Sequence, residues 1–236
     1  MLTSFPWQVE SLRLTRFTTG TIDQPDSLGK SLWEQITGSP PSNRIEHTQQ
    51  SIKIEEGSWN KGKLTVKLQP GRVDIIYNAL PTPGLPSIGD INSALEIFRK
   101  LLNVQNVDAN ITRIGFGVIL LHPEESQATA YETLAKLLPN IKVDPNSSDF
   151  LYQINLPKKL ESNISINRLC RWSAISIYLI NITQADLEKN QLFATRLELD
   201  INTSTNTSLS SESDINALEE ELISCALRIA SRGDYE

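Results

Sequence analysis

Residues Asn167–Asn181, NRLCRWSAISIYLIN, constrain the fold more than any other stretch of the chain. In an extended backbone successive side chains point to opposite faces. Trp172, Ala174 and Tyr178 would then share one face, and Ile175, Ile177 and Leu179 the other. A strand that is apolar on both faces is ordinarily covered on both. The segment therefore predicts the centre of a sizeable core, with Arg168 and Arg171 at its charged mouth.

The remaining pattern surrounds this strand with hairpins and a few helices. Val9–Thr18 reads as a strand with one buried side. Asp26 offers an N-cap for a helix over about Ser27–Thr37, stopped by Gly38-Ser39-Pro40-Pro41. Ser51–Glu55, Lys63–Leu68 and Arg72–Tyr77 are three strand-like runs, and Pro70-Gly71 suits the middle of a type II turn between the last two. They predict an antiparallel meander. Asp90 can cap a helix over Ile91–Leu102, and Thr112–Leu121 follows as a strand with two glycines. His122-Pro123 then opens a predicted helix with Ala128, Tyr131, Leu134, Ala135 and Leu138 on its buried face. Phe150–Leu156 alternates as a further strand. Phe193–Ile201 alternates too, with Arg196, Glu198 and Asp200 on a wet face. A low-complexity stretch, Asn202–Ser213, precedes a last helix whose apolar stripe runs from Ile215 to Ile229.

The predicted order is β-α-β-β-β-α-β-α-β-β-β-α. Strand and helix do not alternate strictly, and hairpins dominate both halves. This predicts an α+β protein with mainly antiparallel sheet and about four helices. The proline-rich segment Pro81–Ile88 is unsuited to a central strand and makes the best seam. It separates an N-terminal strand, helix and meander (residues 1–80) from a C-terminal α+β half (residues 81–236), as two units or one continuous domain. The two β-rich halves are similar in element order, without a residue-level repeat.

Composition narrows the function classes. The chain has 236 residues, 39% of them hydrophobic and 21% charged, ordinary for a folded protein with its own core. A net charge of −6 excludes a generally basic nucleic-acid coat but leaves room for a local basic patch. Cys170 and Cys225 each sit in an apolar pattern and read as buried, reduced thiols. MLTSFPWQVE lacks the basic start and apolar core of a signal peptide, and no stretch reaches the roughly 20 apolar residues of a membrane span. The expected location is cytoplasmic, with no membrane partner.

Few residues carry recognisable chemistry. His47 and His122 are far apart in sequence, and the cysteines lack a CxxC partner, so neither a zinc site nor another metal or cofactor is expected. No G-x-S-x-G elbow is present. His122 is the one candidate general base, and Pro123, Glu124 and Glu125 make it read rather as the start of a helix. Gly115-Phe116-Gly117 is not a dinucleotide fingerprint, because the chain continues as a strand instead of turning into a helix. Those glycines are expected to permit close packing or a bulge. Asp74, inside a strand, should pair with Arg72 or a cross-strand lysine.

Two basic groups remain. Lys61, Lys63 and Lys67 lie near Trp59 on the meander, a pattern that could neutralise phosphates while the indole stacks on a base. A solvated sheet face gives the same pattern. Arg168, Arg171 and Trp172, with Lys158 and Lys159 upstream, combine two residue types enriched where proteins anchor partners.

The segments GRVDIIY, FGVILL, SSDFLYQIN and INRLCRWS resemble those of a family of uncharacterised bacterial proteins of unknown function. The resemblance would span about Gly71–Asn181 and the closing strand and helix. It implies a β-rich α+β protein of bacterial type and carries no activity or site residue.

The expected function is therefore that of a non-catalytic interaction or adaptor subunit in a bacterial multi-protein assembly, holding a protein partner through Arg168, Arg171 and Trp172. Self-association is compatible with the same surface. One alternative is a nucleic-acid-binding accessory protein using Trp59, Lys61, Lys63 and Lys67. Another is an enzyme whose composite site draws on scattered acids, arginines and His122.

Overall fold

A computed structural model of the chain describes residues 5–19, 29–102, 110–182, 187–204 and 212–233. The elements in chain order are β1 (Gln8–Thr19), α1 (Leu32–Thr37), β2 (Asn43–His47), β3 (Ile52–Trp59), β4 (Gly62–Gln69), β5 (Arg72–Ala79) and α2 (Ile91–Leu102). There follow β6 (Asn110–Glu124), α3 (Gln127–Leu137), β7 (Leu151–Asn155), β8 (Lys158–Lys159), β9 (Ser165–Ile182), β10 (Leu187–Thr203) and α4 (Glu212–Arg232). The protein is α+β: its strands form one ten-stranded antiparallel sheet in the order β2-β3-β4-β5-β1-β6-β10-β9-β7, with β8 also on β9.

The two halves follow one plan. In each, a central strand leads through a helix to the sheet edge, and a meander walks back until its last strand pairs with the first. Thus β5 returns to β1, and β10 returns to β6. The halves join where β1 pairs with β6, with Leu14 opposite Phe116. Similar element order in the sequence is therefore a repeated architecture.

Strand alternation gives the sheet one apolar face. Along a single cross-strand row lie Val66, Ile75, Leu14, Phe116 and Ile201, all buried. The helices cover this face. Trp33 of α1 lies over Gly57, Phe98 of α2 touches Phe116, and Thr195 of β10 donates to Ala130 O of α3. Arg16 of β1 reaches Glu219 of α4. The opposite face carries no helix among the described residues.

Several expectations change in this setting. The first helix starts at Leu32, because Ser31 Oγ accepts from Glu34 N and the Glu34 carboxylate accepts from Ser31 N. Gly29, with φ +76°, lies outside the helical region; the expected cap Asp26 and residues 27 and 28 fall outside the described residues. His122 and Pro123 do not open a helix. They extend β6, which pairs with β10 as far as Glu124, and α3 begins only after the capping box of Ser126 and Thr129. Pro123 is tolerated because β1, on the other side of β6, ends its pairing at Leu121. The all-exposed strand β2 was not anticipated, since its burial shows no alternation to read. Among the described residues β9 is not covered on both faces, since the described helices lie on one side only. Cys170 and Cys225 are buried and not joined in a disulfide.

Candidate functional site

The helix-free face gathers charge across strands that are distant in sequence. Arg13 of β1 lies opposite Gly117 of β6, which lies opposite Asp200 of β10. Strands in a sheet are about 4.8 Å apart, so Arg13 must span two of them to reach Asp200. It does so with a Nη2–Oδ2 distance of 2.8 Å. Gly117 leaves the path clear: a Cβ there would lie 3.3 Å from Arg13 Nε and Nη2. Asn202 joins the network by donating to Asp200 Oδ1 at 3.0 Å and accepting from Arg113 Nη2 at 2.6 Å.

A second network runs beside it. Arg171 of β9 stands between Glu198 of β10 and Gln153 of β7, and it donates to both, at 3.3 Å and 2.9 Å. Arg196 donates to the same Glu198 carboxylate at 2.8 Å and lies 3.9 Å from Glu10. Glu10 occupies the register shift between Val9 and Ser11, where a bulge re-aims the chain. Burial pushes the Glu10 carboxyl above its ordinary value; Arg196 opposes the shift and Glu198 adds to it.

Between the two networks lies a groove of about 240 Å³, lined by Arg13, Arg171, Glu198 and Asp200 with Ile119 and Leu169. The two networks together bring four arginines (Arg13, Arg113, Arg171, Arg196) to three carboxylates (Glu10, Glu198, Asp200), while the groove lining itself pairs two arginines with two carboxylates. The balance around the groove is cationic by one charge although the chain as a whole carries −6. Further along the same face, Asp74 accepts from Thr15 at 2.6 Å and from Arg72 at 2.8 Å. Arg72 and Arg113 also flank the Phe17 ring at 5.4 Å and 5.0 Å. The Arg72 pairing expected for Asp74 is present.

The two residue groups singled out from sequence are each divided between faces. Arg171 lines the groove. Arg168 is on the helix face, buried, and donates to Leu156 O at 3.1 Å; Trp172 is wholly buried there against Trp7. Consecutive strand residues cannot share a surface, so Arg171 and Trp172 form no joint anchor. Lys63 and Lys67 lie on the open face, where Lys63 Nζ is 2.7 Å from Glu56. Lys61 is exposed in the β3–β4 turn. Trp59 is on the helix face, edge-on to Tyr77 at 5.4 Å, so the indole and the strand lysines do not form one surface.

His122 is also on the helix face. Its Nε2 lies 3.8 Å from Glu124 and its ring meets Phe5 at a tilt of 58°, with centroids 4.6 Å apart, away from the acids and arginines of the groove. Among the described residues no group of His, Cys, Asp or Glu could hold a metal ion, and no helix is long and apolar enough to cross a membrane.

Sequence reading did not single out Glu10, Arg13, Asp200 or Gly117 as a site. The wet alternation of Arg196, Glu198 and Asp200 carried half of the signal. The other half, that β1 and β10 flank β6, is a matter of strand order.

No protein-family profile matches the chain, and no curated protein does.

Proposed function

We propose that this protein is a non-catalytic interaction subunit of a bacterial multi-protein assembly, and that it docks an acidic partner segment in the groove between Arg13 and Arg171. The observation that carries this reading is the local charge balance: four arginines outnumber three carboxylates around a helix-free cleft on an acidic protein. Such a cleft attracts acidic surfaces and disfavours cationic ones. Its apolar floor, at Ile119 and Leu169, adds burial to charge. The arginines are held in extended reach by cross-strand carboxylates, so little side-chain freedom is lost on docking.

The test is affinity capture of the tagged chain from its source cells, compared with Arg13→Glu and Arg171→Glu. Both side chains are partly exposed in surface ion pairs, so each change should move stability by only about 0–1 kcal/mol. The expected result is one stoichiometric partner, lost at least tenfold in both variants and at raised salt. Capture unaffected by either reversal would remove the groove from the reading. Nucleic acid in place of protein, released by salt and retained poorly by Lys63→Glu and Lys67→Glu variants, would replace it with nucleic-acid binding.

A further inference from the structure

The β9–β10 hairpin outruns the sheet that holds it. β7 pairs with β9 only over Leu169–Ser173, and β6 ends at Glu124, opposite Phe193. Beyond these points the two strands continue together, from Ile177 opposite Leu192 to Ile182 opposite Leu187. The outer edge of β9 from Ala174 to Ile182, about 30 Å at the usual strand rise, has no neighbouring strand among the described residues.

Unpaired edges of this length invite pairing with another chain, and proteins guard them with charge, proline or brevity. The other edges here are guarded. β2 carries Arg44 and Glu46, β7 is short and followed by Pro157, and the ribbon side of β10 carries Glu188 and Lys189. The β9 edge reads AISIYLINI, without a charge, a proline or a glycine, which is a composition strongly prone to strand pairing. The two most exposed large hydrophobic residues among those described are on this side of the sheet: Leu151, 65% exposed, and Tyr178, 62% exposed.

We propose that Ala174–Ile182 pairs with the same segment of a second copy of this chain, giving an antiparallel two-fold dimer with one sheet running through both subunits. The geometry fixes the register. A two-fold antiparallel pairing that fills this edge from end to end places Tyr178 on the axis, with Ile177 opposite Leu179 of the second copy. The incoming strand then continues the line of β7, which also runs antiparallel to β9. Its tip arrives beside Leu151, the most exposed apolar residue of the sheet, at the end of β7. The interface is isologous and closes on itself, as a dimer requires.

Sedimentation equilibrium at tens of micromolar should give twice the 26.4 kDa chain mass. The double variant Ser176→Lys/Tyr178→Lys alters two exposed positions and sets like charges across the axis. It should sediment at the single-chain mass with an unchanged circular dichroism spectrum. Tyr178→Cys should form a disulfide-linked dimer under mild oxidation, since the native thiols are buried; Ile45→Cys, on the opposite edge, should not. A wild-type protein at the single-chain mass would overturn the proposal. So would an open-ended assembly, a dimer indifferent to the lysines, or cross-linking at position 45 alone.

Discussion

Gly117 shows how one missing side chain organises the open face. Arg13 crosses it to reach Asp200, and the groove floor lies at the same point. Gly117→Leu should fill the groove and displace Arg13. Partner capture should fall at least tenfold, while the melting temperature moves little because the lost ion pair is partly exposed; a full-strength complex with Gly117→Leu would show that the groove is not the docking surface. Glu10 supplies a pH dependence on the same face. Its folded-state pKa lies above the ordinary 4.5, mainly through burial. Stability from this group is therefore fully present below the unfolded value and is lost as pH rises through the folded one. Urea titrations of Glu10→Gln against wild type should show the variant losing less stability as pH rises from 4.5 towards neutrality. Parallel pH profiles would assign the slope to other groups.

At the scale of elements, the tie between β1 and α4 is the most consequential. Arg16 donates Nε and Nη2 to both carboxylate oxygens of Glu219, at 2.7 Å and 3.0 Å, inside the apolar layer. Burial raises the Glu219 pKa, and Arg16 acts against that shift. Removing one member strands the other charge, so Glu219→Gln should destabilise by roughly 3–5 kcal/mol in urea denaturation. Arg16→Met/Glu219→Leu should recover most of that loss, because an apolar pair avoids the desolvation of two ions. A double variant no more stable than Glu219→Gln would show that the pair does more than neutralise itself. No sequence signal marked this tie: Arg16 belongs to a strand and Glu219 to a helix 203 residues away. Elements with strong local patterns were legible. The three meander strands, the helix capped by Asp90 and the alternation of β10 all formed, although β3 runs on to Trp59 and β10 spans Leu187–Thr203, beyond the local patterns. The start of α3 was misplaced because the His-Pro pair imitates a helix entry, while the sheet partner that extends β6 lies 71 residues further on, where Thr195 bonds Glu124.

At the scale of the whole molecule, the β1–β6 seam joins two halves built on one plan. One continuous cluster of buried residues, from Leu64 through Phe116 to Ile229, underlies both. Phe116→Ala at this seam should cost about 3–5 kcal/mol. It should also leave a single unfolding transition, with far-UV circular dichroism and tryptophan fluorescence falling together. Two separated transitions would mean that each half carries an independent core.

The chain's own local pattern specified the α+β class, the antiparallel hairpins and most of the buried positions, because period-two and period-3.6 patterns are local properties. It also identified Asn167–Asn181 as exceptional. Tertiary packing gave that exception its meaning: the described helices cover only one face of β9, and its far half extends past β7. Strand order alone decided that Arg13, Gly117, Asp200 and Arg171 meet. Those residues are neighbours through hydrogen-bonded registers between distant segments, and no local periodicity encodes which strands become adjacent.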